Sequence, residues 1–409
     1  MTLLAQAVPP GAADLARARG THDVQGGLHL ESWIYQGLDA LGLEFPFEEW
    51  VLVAVTLLVV CGLVFGFINL FALFAVWLER KVSAHMQCRL GPMEVGPHGL
   101  LQTLADGIKL TVKEDIIPRV ADKPLFILAP VIVFTGILIR FVPLPFGPGL
   151  VASDMDLGLF FVAAVGSVEV IGVIMAGWAS NNKWSLFGTI RTATQMVSYE
   201  IPIGIAFVAV IVCAGSFSLM EIVNAQQGWF WSWFVYRNPF LTILSIIYLI
   251  ASLAECKRAP FDLPEAESEL VSGFHTEYAG MRFAFFFLAE YAAMYLVSAV
   301  AVVLFFGGWW SGIPAIDGIG LAPDDSALTV TVGFLMKAGI FMTKAIFFVF
   351  VQMWVRWTLP RVRLDQMMHI CWKVLLPISL VCLVGSTLWE LMTGGGAFFG
   401  IPTLFGFGG

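Results

Sequence analysis

The chain of 409 residues carries few charges for its size: 13% of its residues are charged, 58% are hydrophobic, and the mean hydropathy is +0.84. A soluble domain has about 25% charged residues, so this composition argues against a water-soluble fold. The net charge of −8 and the absence of a basic run argue against nucleic-acid binding. Six scattered cysteines without a C-x-x-C pair argue against an iron–sulfur or zinc site, and no metal site is predicted.

Eight apolar segments predict an all-α membrane protein with eight transmembrane helices. They cover residues 51–78, 124–144, 156–179, 194–215, 239–255, 281–306, 330–355 and 372–392. The segments divide the chain into a polar amino-terminal extension (1–49), an eight-span membrane domain (50–393) and a Gly-rich tail (394–409). The extension lacks the basic region and apolar core of a signal peptide.

The connection after the first span predicts an amphipathic helix at the membrane interface, because apolar and polar residues alternate there with a helical period. The apolar face holds Leu101, Leu104, Ala105, Ile108 and Val112. Such a helix either anchors the chain to the lipid surface or lines an entrance for an amphiphilic substrate. The pattern leaves both open.

The distribution of positive charge predicts the orientation in the membrane. Sixteen of the 22 lysines and arginines fall in the first, third, fifth and seventh connections, whereas the outer connections hold only Arg140 and Arg237. Both termini are therefore predicted on the outer side. The segment that begins at Glu255 is predicted on the cytoplasmic side.

That segment, 255–269, crowds five carboxylates and two cations between two apolar spans: Glu255, Asp262, Glu265, Glu267, Glu269, Lys257 and Arg258. Helix capping accounts for two of the acids, since Asp262 and Glu265 fit a capping box. Close carboxylates raise one another's pKa, so that some would hold protons near neutral pH. The segment therefore suggests a place where protons or a polar head group are handled.

Ionisable residues also lie within the apolar spans, namely Glu169, Glu200, Glu290, Lys337 and Lys344. Each buried charge costs roughly 2.5–3.5 kcal/mol on insertion scales. Glu200 precedes Pro202, which leaves a backbone carbonyl without its helical partner. The set is consistent with a buried proton route or with static ion pairs between helices.

Several segments together resemble one family. They are Glu79-Arg80-Lys81, the stretch 87–109, Ala176–Asn181, Ser198-Tyr199-Glu200, the stretch 260–278 and Leu359–Met368. In this order, from about residue 50 to 393, they are similar to the quinone-chamber membrane subunit of respiratory complex I. Two departures are Cys256-Lys257, where that family usually has Thr-Asn, and Trp357, where it usually has a small residue. The extra cation is expected to lower the pKa of nearby carboxyls.

The resemblance implies a chamber for quinone, the substrate, shared with a soluble quinone-site subunit and with a second soluble partner that contains the terminal iron–sulfur cluster. FMN and iron–sulfur clusters would belong to these partners, with no cofactor in this chain. Adjacent membrane subunits and lipid would be further partners, in the inner (plasma) membrane of a bacterium.

Residue roles follow from the resemblance and from the buried charges. The quinone chamber would involve Arg80, Asp106, Arg258 and Phe274. Proton coupling would involve Glu169, Glu200, Glu255, Asp262, Glu265, Glu267, Glu269, Glu277, Glu290 and Lys344. Two alternatives remain: a membrane subunit of a proton-pumping hydrogenase or ferredoxin-linked complex, and a stand-alone ion-coupled transporter. The chain lacks the internal repeat typical of such transporters.

Overall fold

The computed structural model describes residues 49–263, 267–319 and 327–393, and these ranges contain helices but no strand. Its α-helices are α1 Glu49–Met86, α2 Gln102–Val112, α3 Lys123–Arg140, α4 Gly158–Ala179, α5 Lys183–Ala214, α6 Leu219–Asn224, α7 Phe234–Arg237, α8 Pro239–Glu255, α9 Glu267–Leu270, α10 Gly280–Phe305, α11 Pro314–Asp317, α12 Ala327–Thr358, α13 Leu364–His369 and α14 Leu376–Thr393. A π-helical turn, Ile370–Leu375, joins α13 to α14. The predicted extension and tail lie outside the described residues, apart from Glu49.

Seven helical runs among the described residues are long and apolar enough to cross a bilayer: α1, α3, α4, α5, α10, α12 and the continuous run from α13 to α14. The prediction of a multi-pass helical membrane protein is confirmed. The predicted span 239–255 corresponds to α8, which is apolar but has only 17 residues. The count of eight spans stays a prediction.

Two helices extend beyond the segments that hydropathy predicts. Helix α1 continues to Met86 instead of ending at residue 78, and α5 begins at Lys183 instead of residue 194. The reason is that hydropathy reports the apolar part of a helix, whereas backbone hydrogen bonding continues through polar residues. The side chain of Asn182 caps α5 by accepting a hydrogen bond from the Trp184 N–H at 2.9 Å.

Helix α10 forms the centre of the core. Of its most apolar 18-residue stretch, 83% is buried, against 28% for the corresponding stretches of α1 and α12. It packs against α3, α12 and α1. Small side chains such as Ala292, Ala299 and Ala301 are buried along it and let neighbouring helices approach closely.

A glycine on α5 positions the turn Gly273–His275, which precedes α10. A Cβ atom on Gly188 would lie 2.8 Å from Cα of Gly273 and 3.1 Å from the backbone N of Phe274. The Ser185 hydroxyl also donates to the Phe274 carbonyl at 3.0 Å. The turn is thus held against α5 by backbone contact.

Replacing Gly188 by alanine is expected to displace the turn Gly273–His275. The three atoms nearest to the new Cβ belong to the backbone, which cannot move aside as a flexible side chain could. Overpacking of this kind costs about 1–3 kcal/mol, and the thermal midpoint of the detergent-solubilised protein measures it. Gly62→Ala on α1 is the matched control, since a Cβ there meets nothing within 4 Å. Equal midpoints for the two variants would contradict the close contact.

Candidate functional site

A cavity of about 210 Å³, here called the charged cavity, lies where the first turns of α10 face α4, α12 and the chain after α8. Part of its lining is aromatic and part is ionic. The aromatic residues are Phe274, His275, Phe283, Phe286 and Phe287. The ionic residues are Glu169, Lys257, Arg258, Glu290 and Arg356. An amphiphilic molecule with a flat ring fits such a lining, because aromatic faces stack on rings while charges bind polar groups.

Glu79 accepts hydrogen bonds from three side chains that come from distant parts of the chain. Arg258 Nη1 lies 2.7 and 2.8 Å from its two carboxylate oxygens, and the Tyr291 hydroxyl donates at 2.6 Å. Arg356 also donates to it. Arg258 in turn places its Nε 2.5 Å from Oε1 of Glu290. These five residues form the Glu79 cluster.

A second group of buried charges, the Arg140 cluster, comprises Arg140, Glu169, Glu255 and Lys257. Arg140 Nη2 lies 2.8 Å from Oε1 of Glu255, and its Nη1 lies 4.0 Å from Oε2 of Glu169. Lys257 Nζ lies 3.0 Å from Oε1 of Glu169. A smaller cavity of about 60 Å³ is lined by Arg140, Glu255 and Glu200. Four acids predicted for coupling thus come together on helices α4, α5, α8 and α10, beside two cavities.

The contact between Arg140 and Glu255 differs from the sequence-based topology. The charge distribution places Arg140 on the outer side and Glu255 on the cytoplasmic side, yet their side chains are 2.8 Å apart. Helix α8 packs along α5 and is short, so its carboxyl end meets Arg140 among the apolar helices. Two charges that neutralise each other can stay buried there, which a count of charges along the chain does not anticipate.

Three further acids of the stretch 255–278, among the residues that the structure describes, each contact a polar partner. Asp262 accepts from Arg361 at 2.9 Å, and Glu277 accepts from Asn182 at 2.6 Å. The hydrogen bond from Arg191, at 2.6 Å, lowers the pKa of Glu269. The upward shift expected for some acids of this segment does not occur at Glu269, because the charge of Arg191 stabilises its ionised form. Glu265 and the side chain of Glu267 lie outside the described residues.

Arg80 and Asp106, predicted for the quinone chamber, pair with each other at 2.5 Å rather than line the charged cavity. Gln102 also donates to Asp106 at 3.1 Å. Partial burial raises the pKa of Asp106, but these two hydrogen bonds outweigh it and the net pKa is lowered. The pair joins α1 to α2, and α2 packs against α10.

Lys344 lies apart from the Glu79 and Arg140 clusters, about 18 Å along α12 from Arg356. Its Nζ donates to the backbone carbonyls of Phe306 at 2.7 Å and Trp310 at 2.6 Å. It also lies 4.0 Å from the centre of the Trp233 ring. The structure thus gives Lys344 a contact that ties α12 to the chain after α10. A role in coupling stays a prediction.

Sequence reasoning did not single out Glu79, Arg140 or Arg356 as site residues. Glu79 and Arg356 look like ordinary charges at the ends of apolar segments, and Arg140 looks like an outer-loop cation. Their hydrogen-bond partners are 115 to 277 positions away along the chain. The available signal was the free-energy cost of burying so many charges next to apolar spans. This cost indicates that the charges are paired, but it does not identify the partners.

Replacing Glu79 by glutamine is expected to cost about 3–5 kcal/mol, because Arg258 and Arg356 would keep their charges without their shared carboxylate. Asp106→Asn is the control from a half-exposed pair, where a loss of about 0–1 kcal/mol is expected. The denaturation midpoints of the two variants measure the difference. A small effect of Glu79→Gln would contradict a buried cluster centred on this residue.

Comparison with known proteins places the chain in a family. The family model described as NADH dehydrogenase matches residues 58–387. The NADH-quinone oxidoreductase subunit designated H from Chlorobaculum tepidum is 51% identical over 338 residues, which is 82% of this chain and 92% of that protein. The one designated H 2 from Cytophaga hutchinsonii is 48% identical over 349 residues, covering 79% of this chain and 96% of that protein. The counterpart from Anaeromyxobacter dehalogenans is 42% identical over 369 residues, which is 90% of this chain and 87% of that protein. The chain therefore belongs to the NADH dehydrogenase family.

Proposed function

We propose that this chain is the membrane subunit of a proton-pumping NADH–quinone oxidoreductase, where it forms the access chamber for quinone and couples quinone reduction to proton translocation. The observation that carries the proposal is the charged cavity, whose aromatic and ionic linings adjoin two clusters of buried charges. The three relatives are all named as subunits of NADH-quinone oxidoreductase, which favours this function over a hydrogenase-type complex or a separate transporter.

The charged cavity suits the passage of a quinone head group. Phe274 and Phe286 meet edge to face, with ring centres 5.4 Å apart, and give the cavity a rigid aromatic surface. Burial and the charge of Lys257 lower the pKa of His275 to about 4, so its imidazole is neutral at pH 7. The neutral imidazole of His275 can hydrogen-bond a quinone carbonyl. Because it carries no charge, this bond is weak enough for the quinone to be released.

Helix α2 supports entry of quinone from the lipid. Its apolar side chains Leu104, Ile108 and Val112 are exposed, with Leu101 just before them, while Asp106 on the same helix is tied to Arg80. An exposed apolar stripe beside a polar face is typical of a helix lying in the membrane interface. We place α2 there, at the mouth of the chamber. The Arg80–Asp106 pair then borders the passage.

The two clusters supply a means of coupling. Quinone takes up two electrons and two protons when it becomes quinol, and the electrons would come from FMN and iron–sulfur clusters in partner subunits. Negative charge on the quinone would compete with Glu79 and Glu290 for Arg258, because Arg258 lines the cavity and pairs with both carboxylates. A rearranged cation changes the charge balance at Glu169, and thereby at Glu255 and Glu200. Protons would leave toward adjacent membrane subunits.

The proposed assembly lies in the bacterial inner membrane. The distribution of positive charge among the connections then favours both termini on the outer side, with α8 as an eighth, shorter span. Soluble partners would cover the cytoplasmic face near α2, and neighbouring membrane subunits would cover the exposed side of Glu200.

Ala289→Phe is expected to obstruct the charged cavity, because Ala289 is buried and lines it. In the assembled enzyme, KM for a long-chain quinone should rise about tenfold, equivalent to about 1.4 kcal/mol. NADH oxidation by a water-soluble acceptor should be unchanged. Ala164→Phe on the exposed side of α4 is the control. A photoreactive quinone should label Phe274 and its neighbours less in Ala289→Phe, and unchanged KM and labelling would refute the chamber.

Glu290→Gln and Glu200→Gln test the coupling. Each removes a titratable carboxyl at one of the two cavities, so proton pumping and quinone reduction are expected to fall together, by about tenfold or more. Proton uptake by inverted vesicles and quinone-dependent NADH oxidation are the measurements. Glu221→Gln is the control, because Glu221 lies exposed on α6, outside both clusters. Wild-type rates in both cavity variants would rule out their part in coupling.

A further inference from the structure

Lys257 has a backbone conformation that is unfavourable for lysine. It follows α8 by two residues, and its φ is 57°, in the left-handed region. Asparagine adopts this conformation more readily than lysine does. The side chain is nevertheless only 8% exposed. The explanation for the lysine must therefore lie with its ammonium group.

The ammonium group contacts both the Arg140 cluster and the surface of the charged cavity. Its Nζ lies 3.0 Å from Oε1 of Glu169, closer than Arg140, whose Nη1 lies 4.0 Å from the other oxygen. The same Nζ lies 5.5 Å from the centre of the Phe274 ring. Glu169 is thus held between two cations, of which only Lys257 lines the charged cavity.

The next residue, Arg258, belongs to the Glu79 cluster. The two residues share a tight turn, in which the backbone N–H groups of Lys257 and Arg258 donate to the carbonyls of Ala254 and Leu253, both at 3.2 Å. Consecutive side chains therefore hold two different clusters from one turn.

Among the charged and titratable residues that line the charged cavity, Lys257 is the one that forms an ion pair with Glu169. The others have different partners. His275 is neutral at pH 7 because burial and the charge of Lys257 lower its pKa. Arg356 donates to Glu79, and Glu290 faces Arg258. Arg140 divides its guanidinium between Glu169 and Glu255. The ammonium of Lys257 is thus the nearest cation to Glu169 on the cavity side.

We infer that Lys257 is a positioning residue for proton coupling: its ammonium holds Glu169 beside the charged cavity and so links the charge state of that cavity to the Arg140 cluster. The inference rests on the proposed function and adds to it a residue that works through Glu169. It predicts that the ammonium changes the number of protons moved per quinone reduced more than it changes the rate of quinone reduction.

The test compares Lys257→Asn, Lys257→Gln and Lys257→Arg in the assembled enzyme. Asparagine suits the backbone and removes the charge, so the ratio of protons pumped to quinone reduced should fall at least twofold, and likewise with glutamine. Arginine keeps a cation within reach of Glu169, so Lys257→Arg should have a ratio of protons pumped to quinone reduced close to that of the wild-type enzyme. Lys183→Asn removes an exposed cation at the start of α5 as the control. An unchanged ratio in Lys257→Asn, or an equal loss in Lys257→Arg, would overturn the inference.

A double variant decides whether Lys257 acts through Glu169. If it does, Lys257→Asn combined with Glu169→Gln should have the same ratio as Glu169→Gln alone, because the lost contact is counted only once. Independent, multiplying losses would overturn the inference while leaving the proposed function in place. A wild-type assembly that reduces no quinone and pumps no protons would overturn the proposed function itself, and with it this role for Lys257.

Discussion

The structure depends on the neutralisation of buried arginines by carboxylates from separate helices. Arg258 is 2% exposed and is held by Glu79 from α1 and Glu290 from α10, while Arg140 is 5% exposed and is held by Glu169 and Glu255. A guanidinium in such surroundings is tolerated only when opposite charges are in contact with it. The helices that supply those charges must therefore stay in register.

This constraint also explains why the cavities lie where they do. Side chains that satisfy two or three charged partners cannot also fill the space between helices, and the rigid core of α10 prevents the helices from closing further. The space left beside the charges is bounded by aromatic rings at the turn Gly273–His275, which Gly188 holds against α5. Under the proposed function, the head group of a quinone would meet the buried charges in this space.

Pairing also changes what the acidic residues can do. Along the chain, Glu255 and Asp262 belong to a segment rich in carboxylates, but in space each faces an arginine from another part of the chain. Coupling would therefore depend on moving cations between partners, and less on mutual repulsion of acids. Lys257, next to Arg258 in one turn, fits this mode of action.

The sequence by itself determined the membrane class, the positions of the long helices and the presence of costly buried charges, because hydropathy and charge are properties of local segments. The motifs along 58–387 also determined the family. Only the tertiary structure decided which charges meet, for example Glu79 with Arg258 across 179 positions and Arg140 with Glu255 across 115. Burial requires that each charge find a partner, but many partners satisfy that requirement equally well. The packing of the helices selects among them.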